Sequence, residues 1–310
     1  MAFDISGLQE YVARSSREIA MKTIAGAETA KMLIDAGAVQ VGVKGSADIL
    51  RMSNDVTIQS ASTCGRTPLG NTVLSTKKIT VAPLKEEQDI CPKSLYSTQF
   101  AYVLSKGQNP QSETFNSEFA DKLMNDRAAL IASKNEVMLW KGDTGLTAGT
   151  DYLNKNKIDG IVKQITTGGT SSYWFVTGVT GSTTVEKLQS FYSKCSVDIR
   201  TKEDFRIFIG QDLYDSYLID LAGKNIFKPV DDKTLFGTTA KIQVVSGLNG
   251  TNEIVGGRVS GLHLGIDGEG DSDFTELVYS VETKKWYQDF HYALGVSVIF
   301  PSEWAYFKLV

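Results

Sequence analysis

Residues 117–143 read SEFADKLMNDRAALIASKNEVMLWKGD, and this stretch carries the strongest local signal in the chain. Asn116 or Ser117 is placed to cap a helix with Phe119, Leu123, Leu130, Ile131, Val137 and Met138 on one side, and Asp121, Lys122, Asn125, Asp126 and Lys134 elsewhere. Gly142 stops the pattern, so a helix over 117–141 is predicted, a rod about 35 Å long.

Downstream, Gly145 to Asn156 is a polar insertion and Ile158 to Ile165 a short apolar run. Thr183-Thr184-Val185-Glu186 has capping-box spacing and opens a helix through Leu188, Phe191, Tyr192 and Cys195. Phe205 to Ile209 reads as a strand, Asp212 to Ala222 as a helix stopped by Gly223, and Lys241 to Val245 as a second strand, together a compact α/β unit. From Gly261 onward the chain is mostly strand: Leu262 to Gly265, Glu276 to Val281, Ala293 to Phe300, and Trp304 to Phe307.

Upstream, Ser6 to Asp35 reads as a helix with a thin stripe, Leu8, Val12, Ile19, Ile24, Leu33 and Ile34, and Gly37 as its stop. So thin a stripe buries little alone, and such a helix lies on its own body or on a neighbour. From Val39 to Thr80, β-branched and small polar residues alternate around a turn-rich tip, Cys64 to Asn71. This predicts a long two-stranded hairpin with few large apolar residues. An isolated hairpin is marginal in water, so its missing burial comes from elsewhere, and another subunit is one source.

The 310 residues are 42% hydrophobic and 22% charged, with a formal net charge of −4. That composition belongs to an ordinary globular chain with enough length for its own core, and argues against collagen-like, disulfide-scaffold and wholly disordered classes. Mild acidity, with no basic run longer than two residues, argues against a nucleic-acid reader or a binder of anionic membranes. Nothing approaches the ~20 consecutive apolar residues of a transmembrane helix, and Met1-Ala2-Phe3-Asp4 lacks a signal-peptide pattern. Cys64, Cys91 and Cys195, odd in number and far apart, fit a reducing compartment without a disulfide framework.

Catalytic side chains are scarce, since His263 and His291 are the only two histidines. No nucleophile elbow and no HExxH motif accompanies them. Gly65 to Thr72 is one residue short of a phosphate-binding loop, and Asn71 stands where that loop needs Lys, so the stretch reads as a hairpin tip. Asp267, Glu269, Asp271 and Asp273 alternate as calcium ligands do, but Ser272 and Val278 stand where an EF-hand needs Gly and Glu, and a solvated acidic turn is the plainer reading. Glu86-Glu87 and Asp231-Asp232 read as solvated charges rather than paired glycosidase carboxylates.

In order, the chain offers an N-terminal helix, an extended hairpin poor in core residues, a long helix ending in Leu139-Trp140-Lys141-Gly142-Asp143, an α/β unit and returning strands. This order resembles the major capsid proteins of tailed bacteriophages, the Hong Kong 97-type fold. Met138 to Asp143 followed by Asp159-Gly160-Ile161 is similar to the family's helix end, Phe208 to Tyr214 to its strand-to-helix step, and Gly295 to Pro301 to its final strand. The resemblance covers nearly the full chain and rests on architectural cues.

The resemblance implies an α+β fold with an N-terminal arm and helix (1–38), an extended hairpin or E-loop (39–82), and a peripheral P-domain (83–180) whose spine helix is 117–141. An axial A-domain (181–275) and C-terminal strands that return to the P-domain (276–310) follow. It implies a non-enzymatic subunit, without a cofactor, of the icosahedral head shell of a tailed phage, assembled in the host cytoplasm and located in the virion capsid. The implied partners are further copies of the chain in hexamers and pentamers, scaffolding, portal and decoration proteins, and packaged double-stranded DNA without sequence-specific contact, with no membrane partner. Assembly contacts are expected at Phe3, Leu8 and Tyr11 of the arm, at Arg66, Thr67, Pro68 and Leu69 of the hairpin tip, and at Asn225, Lys228 and Asn249 of A-domain loops. The arm begins at the first residues, so scaffolding is expected to be a separate protein or already removed. Residues 64–74 contain no Lys, so no Lys–Asn cross-link from the tip is expected. Two rival readings are an encapsulin compartment of the same fold, and a metal-assisted hydrolase or binding protein using Asp267, Glu269, Asp271 and His263.

Overall fold

A computed structural model describes residues 22–60, 69–91, 117–167, 174–226, 229, 233–267 and 274–309. A helical turn at 22–25 breaks at Gly26, where a Cβ would collide with Ala132, and resumes as α1 (Glu28–Asp35). The predicted stop, Gly37, takes the left-handed conformation at φ 68°. Then come β1 (Val39–Gln40), the hairpin strands β2 (Ser46–Val56) and β3 (Gly70–Thr80), β4 (Ala82–Ile90), and α2 (Ser117–Lys141) with the bounds its sequence predicts. Two short helices, α3 (Tyr152–Lys155) and α4 (Ile161–Thr167), follow in the stretch read as insertion and apolar run. Next are β5 (Trp174–Phe175), α5 (Thr184–Lys194), α6 (Val197–Arg200), β6 (Phe205–Ile209), α7 (Gln211–Gly223), β7 (Lys241–Val244) and β8 (Glu253–Arg258). The chain closes with β9 (Leu262–Ile266), β10 (Phe274–Ser280), β11 (Lys285–Val298) and β12 (Ala305–Lys308).

Three sheets result. In the first, β11 pairs antiparallel with β10, β4 and β9, and β1 adds to β9 in parallel. In the second, the order is β5-β12-β8-β6-β7, with β6 and β7 parallel across α7, the expected α/β unit. The hairpin β2–β3 is a third sheet by itself. Of the strands expected to return over 276–310, β10 and β11 lie in the first sheet, whereas β12 crosses into the second and pairs with β8.

Each of the two larger sheets has its own core. α1, α2 and α4 cover the first, and α5 and α7 pack on the second. Phe208 of β6 joins them, its ring 5.1 Å from that of Trp140 and 5.9 Å from that of Trp304. Both indoles are fully buried against glycine, since a Cβ on Gly247 would overlap Trp140 and one on Gly257 would overlap Trp304. The Gly-Asp and Asp-Gly-Ile signature has a similar cause. The N–H of Gly160 donates to the carbonyl of Gly142 at 2.9 Å, an approach that a side chain on either residue would block. Lys163 then bridges Asp143 and Asp159 at 2.6 and 2.7 Å, which holds the Asp143 carboxyl below its usual range.

The buried stripe of α2 differs from the predicted one. Leu130 is 61% exposed, and the covered face is Met124, Ala128, Ile131, Ala132, Asn135, Glu136, Met138 and Leu139. Asn135 and Glu136 belong to it because each is saturated by distant partners. Thr29 donates its N–H and hydroxyl to the Glu136 carboxylate at 2.9 and 2.6 Å, and the Trp140 indole N–H reaches the Thr29 hydroxyl at 2.7 Å. Asn135 donates to the Thr23 carbonyl at 3.1 Å and accepts from the Tyr292 hydroxyl at 2.8 Å. The N-terminal helical segment is therefore bolted to its own chain, with Ile24, Ala30 and Leu33 fully buried, which corrects the expectation of an N-terminal third short of core.

Asn135→Ala leaves the Thr23 carbonyl and Tyr292 hydroxyl buried without a partner, and urea denaturation is expected to show a loss of ~2–3 kcal/mol. Burial pushes the Glu136 carboxyl above its ordinary 4.5, although Thr29 and Trp140 pull the other way. In the window above 4.5 the native state thus holds a proton that the unfolded chain has released. The stability of the wild type relative to Glu136→Gln should rise as pH falls from neutrality toward that value, and denaturation curves across the range check the sign.

Candidate assembly interface

The hairpin pairs in unbroken antiparallel register from Ser46–Thr80 at its base to Val56–Gly70, an arm about 35 Å long. Its base sits in a notch. Gly265 of β9 and Gly295 of β11 are directly opposed, and a Cβ on Gly295 would overlap the Thr80 carbonyl while one on Gly265 would press on Val81 and Ile79. Glycine at both positions lets the backbone of the hairpin lie against the sheet. Ile79 is fully buried there, and Ala47 packs on Val43, Val81 and Ala293.

Two contacts lie farther out. The Ser297 hydroxyl donates to the Lys78 carbonyl at 3.3 Å, and Arg51 donates to the Ile299 carbonyl at 3.2 Å with its guanidinium 5.0 Å from the centre of the Phe300 ring. Beyond them, every described residue from Met52 to Ser60 and from Leu69 to Leu74 is exposed. Side chains alternate across a ribbon, so Asp48, Leu50, Met52, Asn54 and Val56 share the outer face. Met52 is paired with Leu74 on that face. Leu50, Met52 and Leu74 are 71%, 57% and 63% exposed, a contiguous apolar patch.

Of the expected contact residues, Leu69 is exposed just before β3. Asn225 is exposed at the C-terminal end of α7 in the left-handed conformation, at φ 55°. Asn249 is exposed at the other end, where its side-chain carbonyl accepts the N–H of Gln211 at 2.8 Å and caps the helix. The 13 residues of α7 keep these two about 20 Å apart. Phe3, Leu8, Tyr11, Arg66, Thr67, Pro68 and Lys228 lie outside the described residues. The apolar patch was missed by reading the tip alone. Its signal is the adjacent pairs Ile49-Leu50 and Val73-Leu74, which place an apolar side chain on each face of the ribbon.

The groups that a chemical reading would need are scattered. His263 is paired across strands with Ser297, six residues along β11 from His291, so the two histidines are about 20 Å apart. Burial lowers the pKa of His263 and pushes the Cys195 thiol up to about 12, far from a reactive thiolate. Glu86 and Glu87 face opposite sides of β4, toward Arg127 and Lys85 respectively. Gly70, Asn71 and Thr72 of the phosphate-loop-like stretch are part of strand β3, without a following helix. Among the described residues no group of His, Cys, Asp and Glu is placed to hold a metal ion, and no helix is long and apolar enough to cross a membrane. Glu269, Asp271, Asp231 and Asp232 lie outside the described residues.

Neither a protein-family model nor a curated protein sequence matches the chain. Solved structures do. A chain of the satellite phage P4 procapsid, from a structure that includes the size determination protein, aligns with a TM-score of 0.61 at 9% identity, over 93% of this chain and 89% of its own. The cyanophage A-1(L) capsid gives 0.53 at 11% identity, over 91% of this chain and 93% of its own. The virus-like particle from Pyrococcus furiosus gives 0.52 at 10% identity, over 96% of this chain and 100% of its own. At such identities the likeness is one of fold, and the chain has the Hong Kong 97-type capsid fold that its sequence resembles.

The base and the arm of the hairpin should respond differently to substitution. Leu74→Asp is expected to change the stability of the dilute subunit by no more than ~0.5 kcal/mol, whereas Ile79→Ala costs ~2–5 kcal/mol, both read by denaturant titration.

Proposed function

We propose that this chain is the subunit of a closed icosahedral shell, the head that encloses the double-stranded DNA of a tailed phage. The observation that carries the reading is the hairpin: an arm about 35 Å long with an apolar outer face, left exposed by its own body on a chain of capsid fold. Burying Leu50, Met52 or Leu74 on a neighbouring copy contributes about 1.5–3 kcal/mol per side chain, repeated at every subunit of a capsomer.

The mechanism is geometric. Copies gather into hexamers and pentamers around the A-domain (181–275), with the P-domain (83–180 and the strands of 276–310) as the wall and the arm (1–38) and E-loop (39–82) as ties. The net charge of −4 suits a wall that encloses DNA without gripping it. The role is structural and not enzymatic, it takes place in the virion after assembly in the host cytoplasm, and scaffolding, portal and decoration proteins are its further partners.

A second reading keeps the fold and the shell and changes the contents. The likeness to the Pyrococcus furiosus virus-like particle, over the whole of that chain, favours an encapsulin compartment filled with protein. Nuclease-resistant DNA in purified particles supports the phage head, and a co-purified enzyme supports the compartment.

Deletion of Thr63 to Asn71 removes the end of the arm and leaves both cores intact. Thermal melting is expected to show a folded subunit and negative-stain microscopy no stable closed particles. Normal shells from this variant would contradict the reading.

A further inference from the structure

We propose that Arg51 is a positioning residue that sets the angle at which the hairpin leaves the body, and thereby the uniformity of the shell; the role rests on the shell reading above. The notch at Gly265 and Gly295 seats the hairpin close to its base, at Thr80 and Ile79. One seat near the pivot leaves the ribbon free to rock, and a second hold farther out removes that freedom. Arg51 lies five residues beyond Ser46, about 16 Å along β2.

Arg51 makes two kinds of contact with two consecutive residues. The hydrogen bond to the Ile299 carbonyl fixes the distance, and the guanidinium over the Phe300 ring fixes the plane. The surface it grips is itself held. Ile299 is buried and donates its N–H to the Gly261 carbonyl at 2.8 Å, and Pro301 follows Phe300. Residues 299–304 are also the link from β11 in the first sheet to β12 in the second. Arg51 therefore references the arm to the junction of the two sheets.

Its leverage is large. The strands run five more residue pairs beyond it, so a 10° tilt there moves the Val56 end by about 3 Å, more than a close-packed apolar contact tolerates. Both contacts are weak beside the folding energy, so their loss frees the arm without unfolding the subunit.

The test compares wild type, Arg51→Ala, Arg51→Lys and Phe300→Leu. Spin labels at Val56 and Leu130, both exposed, report the arm angle in the unassembled subunit. The distance distribution should broaden in Arg51→Ala and Phe300→Leu and recover in part in Arg51→Lys, while the melting temperature falls by only about 2–4 °C. In assembly, closed particles of uniform diameter should drop roughly tenfold for Arg51→Ala, the scale of one lost weak contact. Label distances and particle diameters unchanged from wild type would overturn the role of Arg51. Failure of the wild type itself to form particles would overturn the shell reading and this role with it. If Arg51→Ala does not fold, Phe300→Leu decides on the same two readouts.

Discussion

A ribbon of two strands has two faces and no third strand, and in this chain only the first few residue pairs of β2–β3 find cover on their own body. The seat is made by subtraction: two opposed glycines in the first sheet let the Thr80–Val81 backbone come within van der Waals reach, and Ile79 fills what remains. From there the strands run outward with Leu50, Met52 and Leu74 in solvent. A monomer gains nothing from that arrangement. It stabilises an assembly, because a neighbour supplies the missing face at each copy.

The arm is useful only if the body behind it is stiff, and two features make it so. Phe208 lies between Trp140 and Trp304, which ties the two larger sheets through one aromatic contact. Thr29, Glu136 and Trp140 form a closed hydrogen-bond group, as do Thr23, Asn135 and Tyr292, and these hold the N-terminal segment to α2 and β11. Saturated buried polar groups fix one alignment where an apolar seam would tolerate sliding. The Arg51 hold then refers the arm to that body.

The parts of this architecture legible in sequence are those whose cause is local. The bounds 117–141 follow from a cap, a helical run and Gly142, and 205–209 from an apolar run of strand length. The capping-box spacing at Thr183 gives a cap, with the Thr183 hydroxyl accepting the Glu186 N–H, although the Glu186 carboxylate turns to Ser182 instead. What was not legible depends on partners far along the chain. Asn135 and Glu136 look solvent-facing until Thr23, Thr29 and Tyr292 are brought to them, which is why Leu130 was assigned to the buried side and Ala128 and Ala132 were not. The crossing of β12 into the second sheet leaves no trace in its own four residues. The candidate interface was half legible: the exposed hairpin followed from its poverty in large apolar residues, whereas the turn chemistry of its tip drew attention from the patch along its outer face.

All of this makes the chain a unit that is completed by copies of itself. The most direct measurement is the size of the purified wild-type protein by light scattering, with negative-stain microscopy of the same sample. Closed particles of uniform diameter, each built of many subunits, are the expected result. A stable monomer or small oligomer at every concentration and ionic strength tried would contradict the account.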